Sequence, residues 1–507
     1  MIGMINVGNK KSVNISKVYG VRRNIKSSSS AWERIKDSVG LVANAQVGTT
    51  AVVNNFDSIY PWSDIITCNY NNTSKKIVAY YGDANFSFTG SNGQVLTIIP
   101  EFYYKRYVSD GYEYVLISKD NLDGFVKSDK FMIGRYTMSG SSSGVFSRSG
   151  YSPLVNTTIA NFRQYAKNLG SGWQQLDWHY FILQMLYLVE YADYNAQSKL
   201  GAGFTNANNT GAIKSGGCDK LGMKSGSAAG NDTSSVIYRG VEDIFGNVWQ
   251  FVDGININNY QAYINYNPNT YASDVFTGDY QKLGYVNNST SGSYVTGLGY
   301  DPKHPLVALA TDVGGSSSTY TTDYYWCANE KRIALVGGKW NDSLYCGLWY
   351  WNFNNDSSLT NITVGARLLN LIKGSGVCAP YSWLLLLSAV AGSMVVIVVC
   401  GVGRWITLRL IITTTSELDH LYNWDLVCVF RLFTFRVLSA VLGLIFLVVV
   451  CGVGIVTTTQ LIRTSTTELD HLYYVGLGVC SSVVHTFGSC RRYVLGLFSL
   501  WFVVLEL

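Results

Sequence analysis

The chain has 507 residues, too many for one hydrophobic core, so about two to four domains are expected. Its formal charge of +5 is small for that length and no basic cluster stands out, which argues against nucleic acid as a partner. Ten cysteines and five histidines are scattered, with no CxxC or Cys/His pair at metal spacing, so a reduced protein without metal or cofactor is expected.

Residues 1–30 are polar, hold no apolar run of signal-peptide length and end in Ser27–Ser30, which reads as a tether or attachment segment. Residues 31–135 carry short alternating runs, KIVAYYG (76–82), QVLTIIPEFYYKRYV (94–108) and YEYVLIS (112–118), punctuated by Gly, Asn and Asp. They predict a small β-rich N-terminal module. Two helices follow. TTIANFRQYAKNLG offers a cap at Thr157 or Thr158 and a stop at Gly170. LDWHYFILQMLYLVEYAD offers Asp177 as its cap and is apolar on nearly every face, the mark of a helix buried inside a domain. His179, in its first turn, reads as a helix-start or packing residue. Residues 196–330 are rich in Gly, Asn, Ser and Tyr and predict irregular loops and short strands of the kind that carry function. RIALVGGKW (332–340) predicts a buried strand ending in a glycine pair.

The next stretch, GGKWNDSLYCGLWYWNFNND (337–356), sets large aromatics among turn-forming polar residues. Tyr and Trp bring contact area at low entropy cost, and Asn, Ser and Gly adapt their hydrogen bonds, which is the composition of a recognition surface. Upstream, GVEDIFGNVWQFVDGI (240–255) makes a tight turn at Gly246 and Asn247 before a strand anchored by Trp249. Taken with the glycine pair Gly337–Gly338, Trp340, and the closing GARL of Gly365 and Arg367, this stretch resembles the formylglycine-generating-enzyme type of C-type lectin fold over residues 136–370. The fold class implied is α+β: a C-type-lectin-like domain after the β-rich module, followed by a hydrophobic tail.

That resemblance carries two functional branches. The enzymes of the family work with two closely spaced cysteines after the Gly-Gly strand. Only Cys346 stands there, with no neighbouring His or Lys to activate it, so catalysis as a formylglycine-generating-type oxidase is not expected. Residues 337–368 look like the variable region of proteins diversified by retroelements, found at phage tail tips and on some bacterial surfaces. FDSIYPWSDIITCN (56–69) and residues 78–104 look like the front module of phage receptor-binding proteins of this type. The contacts expected are Lys339, Asn341, Asp342, Leu344, Tyr345, Cys346, Trp349, Tyr350, Asn355, Asp356 and Leu359. Trp340, Trp351 and Phe353 are expected in the core, and Arg367 beside a buried carboxylate. The resemblance implies a host cell-surface receptor, protein or glycan, as ligand, attachment to phage tail proteins through the N-terminus, a homo-oligomer such as a trimer, and a place in the virion. The alternative is a membrane-anchored bacterial surface adhesin.

Residues 371–507 form a hydrophobic, repetitive tail. LSAV, VVCGVG and ELDHLY each recur 51 positions on (387 to 438, 398 to 449, 417 to 468). Two runs, 384–403 and 437–456, approach membrane-spanning length, and a third, 493–505, is shorter. Arg404, Arg409, Arg431 and Arg436 bracket the loop between the long runs, which would place that loop in the cytoplasm. Three readings are open: a membrane anchor, an oligomerisation segment, or the product of a frameshift or lost stop codon.

Overall fold

A computed structural model describes residues 16–287 and 290–371, and beyond them the strands at 383–390, 393–402, 405–414, 423–429, 446–448 and 502–504. The chain divides into two units, Met1–Lys373 and Gly374–Leu507. The first is β-rich, with few helices.

Helix α1 (Ile159–Lys167) starts where Thr158 Oγ1 accepts from the Asn161 amide at 3.3 Å, satisfying one of the donors that a helix start leaves open. Helix α2 (Tyr180–Tyr191) is buried along its whole length, as its all-round apolar sequence requires, and ends at Ala192 in the left-handed region (φ +52°). Its boundary residue is His179. The expected cap, Asp177, sits two residues earlier, and its carboxylate accepts from both the His179 amide (3.0 Å) and ring Nδ1 (2.6 Å). A short helix, α3 (Ala196–Leu200), follows, capped by Asn195.

Three larger sheets hold most of the strands of this unit. One is five-stranded, in the order Glu33–Lys36, Val18–Asn24, Tyr112–Ser118, Phe102–Ser109, Val126–Ser128. A second has six strands: Trp173–Gln175, Arg367–Asn370, Phe131–Thr137, Gln94–Ile99, Ile66–Asn71 and Lys76–Tyr80. The third, nine-stranded, has at its centre Trp249–Asn258, Lys331–Val336, Trp351–Phe353 and Tyr324–Cys327, with Val364–Gly365 alongside the first of these.

This topology corrects two boundaries. Val18–Asn24 is a paired strand and not tether, and the Trp32 amide donates to Ala192 O at the end of α2. Residues 1–15 lie outside the described residues. The boundary drawn at 135 also fails, because Phe131–Thr137 runs through it and pairs on one side with Gln94–Ile99 and on the other with Arg367–Asn370. The front module therefore shares a sheet and a core with the rest of the unit and is no separate domain. The reason is strand pairing between residues far apart in sequence, which local alternation does not report.

In the second unit, Trp383–Val390, Ser393–Val402, Trp405–Thr414 and Asn423–Val429 form an antiparallel sheet in chain order, and Phe446–Val448 pairs with Phe502–Val504. The run at 384–403 is thus divided between two paired strands, in keeping with its content of β-branched Val and Ile. Of the run at 437–456 only Phe446–Val448 is described, and both copies of ELDHLY lie outside the described residues. No described helix is long and apolar enough to cross a membrane.

Candidate functional site

Two glycine turns interlock to hold the segment that follows residue 336. At the first, Gly246 (φ +75°) and Asn247 (φ +59°) take the left-handed conformation. The Gly246 amide donates to Gly337 O, and the Trp340 amide donates to Asn247 O, both at 3.0 Å. The Asn247 side chain donates to Asp243 Oδ2 (2.9 Å) and accepts from the Ile213 amide (3.0 Å). At the second turn, Gly338 (φ +83°) leaves no room for a side chain: a Cβ there would lie 2.4 Å from Cys346 Sγ. Trp249 packs 4.4 Å from the Tyr350 ring, and Trp249–Gln250 pairs in parallel with Val364–Gly365.

Arg367 is fully buried, but its partners differ from the carboxylate expected. Nε donates to Gln250 Oε1 (2.8 Å), Nη1 to the Gly134 and Arg135 carbonyls (both 2.9 Å), and Nη2 to the Glu242 and Asp243 carbonyls (2.7 and 2.9 Å). Desolvation pulls its pKa down to about 10, against the raising effect of the nearby Asp243 and Glu242 charges. The guanidinium ties three strands together.

Trp340, Trp351 and Phe353 are in the core, with Trp351 stacked on Phe181 of α2 at 5.2 Å. Three residues expected as contacts join them in the core instead: Cys346, Trp349 and Tyr350 are at most 3 % exposed. Trp349 meets Tyr194 edge-on at 4.8 Å, and Tyr350 Oη accepts from Trp326 Nε1 at 3.2 Å. The physical reason is the strand position. Trp351–Phe353 runs between Lys331–Val336 and Tyr324–Cys327, so Trp349 and Trp351 pack against α2 while Tyr350 packs on Trp249. Desolvation also pushes the Cys346 thiol well above its ordinary pKa, which keeps it protonated.

At the surface, Leu344 is 58 % and Tyr345 40 % exposed. Tyr345 stacks on Tyr324 at 4.2 Å, and Tyr294 meets Tyr324 and Tyr345 edge-on at 4.9 and 5.8 Å. Sequence reading missed Tyr294, Tyr324 and Trp326. The tyrosines between 294 and 325, set in a Gly/Ser/Thr-rich stretch, were the available signal. Lys339 Nζ donates to Asn341 Oδ1 at 2.7 Å and to Asp342 Oδ1, so these three form one polar patch beside the rings. Asn355, Asp356 and Leu359 belong to a second loop. Asp356 Oδ1 accepts from Ser358 Oγ (2.5 Å) and from the Ser358 amide (2.8 Å), which hold its pKa low, and Ser357 Oγ donates to Asp274 (2.6 Å). Among the described residues no hydrogen bond or ring contact joins this loop to Tyr345.

Beneath the tyrosines lies Asp323, 2 % exposed. Its Oδ2 accepts from the Trp349 amide at 2.7 Å and its Oδ1 from Thr322 Oγ1 at 3.3 Å. Gly347 allows this approach, since a Cβ there would lie 2.2 Å from either oxygen. Among the described residues no basic group bonds Asp323, and burial pushes its pKa well above the carboxylate range.

No family model matches the chain, and no curated protein matches it. Among solved structures, one named Major Tropism Determinant U1 Variant is similar, at 11 % identity, over 67 % of this chain and 88 % of that one, with a TM-score of 0.20. A TM-score of 0.20 is too low to show a common fold.

Proposed function

We propose that this chain is a receptor- or ligand-binding protein that presents an aromatic and polar surface and carries out no catalysis. The observation that carries the reading is the tyrosine cluster: Tyr345 stacks on Tyr324 and Tyr294 meets both edge-on, beside exposed Leu344 and the Lys339–Asn341–Asp342 patch. Tyr345, Leu344 and the patch follow one of the two interlocked glycine turns, and Tyr294 and Tyr324 sit on paired strands, so the face is held in place before a partner arrives, which lowers the ordering cost of binding. Residues at the centre of such faces supply most of the binding energy when they are Tyr, Trp or Arg. The protonated, buried thiol of Cys346 supports binding over oxidase chemistry, which needs a thiolate.

The finer reading rests on the sequence resemblance: a C-type-lectin-like domain of the formylglycine-generating-enzyme type at a phage tail tip, attached through its N-terminus as a homo-oligomer and recognising a host surface receptor. A bacterial surface adhesin uses the same face, and the two are separated by asking whether the chain is found in virions or in cell envelopes. The binding test uses the purified full chain and whole cells of a susceptible isolate. Replacing Tyr324 and Tyr345 together by Ala should weaken cell binding by more than about tenfold, with the folded circular dichroism spectrum retained. Binding that survives the double change refutes this face. Comparison of isolates gives a second test. Substitutions should gather at the outward positions 339, 341, 342, 344 and 345 and spare 349–351.

A further inference from the structure

A pocket of about 260 Å³ opens beside the tyrosine cluster, lined by Gln197 and Ser198 of α3, Ser317, Asp323, Leu344 and Cys346 among others. It is continuous with the proposed binding face on two counts. Leu344 is both a wall of the pocket and an exposed residue of that face, and Asp323 of its floor adjoins Tyr324 in the chain. Its floor holds the carboxylate of Asp323, for which the described chain supplies two hydrogen bonds and no cation. Burial favours the protonated form of this group in the free protein, and an ammonium delivered by a partner would let it ionise and pair. Gln197 adds a second acceptor. Its Nε2 donates to the Ser343 and Cys346 carbonyls at 2.9 and 2.8 Å, which fixes the amide and leaves Oε1 without a bond among the described residues.

We propose that this pocket is a subsite for a lysine side chain of a protein receptor, with the ammonium on Asp323 and the alkyl stem along Leu344. The inference rests on the reading of this face as the binding surface. An ammonium is a compact charge with three donors, matched by Asp323 Oδ1, Gln197 Oε1 and a hydroxyl such as Ser317. A guanidinium fits less well, because Asp323 Oδ2 already holds the Trp349 amide and a forked, two-oxygen pairing is not open to it. An amino sugar carries the same charge but lacks the straight apolar stem that Leu344 would cover.

The test uses the full chain and Nα-acetyl-lysine methylamide, with binding followed by saturation-transfer NMR. The norleucine analogue and glucosamine serve as comparators. The lysine compound should bind saturably and both comparators at least about tenfold more weakly, the loss expected for one charge-assisted hydrogen bond. Asp323→Asn should abolish the preference. Ser198→Trp, at an exposed lining position, should block the pocket without touching the core and gives the same result if the Asn variant folds poorly. Equal binding of the norleucine compound, a preference for glucosamine, or a lysine preference unaffected by Ser198→Trp overturns the proposal. Tyr345→Ala separates the two readings, since it should cost cell binding while leaving the small amine bound.

Discussion

Gly338 shows how one residue can hold a surface in place from beneath. Its φ of +83° is open to glycine and strained for others, and the space a Cβ would need is taken by Cys346 Sγ and the Tyr350 ring. Gly338→Ala should lower stability by ~1–3 kcal/mol, read as a fall in the unfolding midpoint. The buried acids act at the same scale. Burial, then the charge of Asp243, pushes Glu242 up to about 8, and burial raises Asp243 to about 6. A carboxyl raised in the folded state holds a proton that the unfolded chain releases. Its favourable contribution is complete below the ordinary carboxylate range and is lost as pH rises through the folded value. Unfolding free energy should therefore fall between about pH 5 and pH 8, and Glu242→Gln should flatten that fall. Chemical denaturation at a series of pH values reads it directly, and a wild-type curve that rises over this range would count against the assignment.

At the scale of elements, the strand Trp351–Phe353 and helix α2 form one packed unit. Tyr180, Phe181 and Trp351 lie ring against ring, and Gln184 Nε2 donates to Leu348 O at 2.6 Å. Anchors and contacts therefore sit within a few residues of each other. Trp351→Ala empties a core site and should cost about 3–5 kcal/mol. Tyr345→Ala removes an exposed ring and should change stability by no more than about 0.5 kcal/mol. Thermal and denaturant unfolding of the two variants side by side makes the comparison, and similar losses in both would mean that Tyr345 is an anchor as well. Sequence pattern places α2 well, because an apolar side chain on every face has a single sensible environment. It places the aromatics after Gly338 poorly, because Trp349 and Tyr345 look alike as letters and differ only in whether each ends facing the core or the surface.

At the scale of the whole molecule, the division at Lys373 separates a unit whose sheets join residues from both its ends from a tail of apolar strands. Arg367–Asn370 closes the six-stranded sheet against Phe131–Thr137 and Trp173–Gln175, so the first unit has its last structural strand just before the division. A fragment of residues 1–373 should unfold in one cooperative transition, followed by circular dichroism, and should bind cells as the full chain does. A fragment without tertiary structure would make the tail integral to the fold.

Composition and periodicity were enough for the β-rich class, the two main helices, the break in character near residue 370 and the glycine turns at 246–247 and 337–338. Each is a local property, written in capping residues, apolar spacing or a need for left-handed backbone. Tertiary structure alone decided that the N-terminal strands are part of the same core, that Cys346, Trp349 and Tyr350 point inward, that Arg367 serves carbonyls, and that Tyr294 and Tyr324 join Tyr345. Those facts depend on which strands pair across hundreds of positions, and pairing sets the side of a sheet to which each side chain turns.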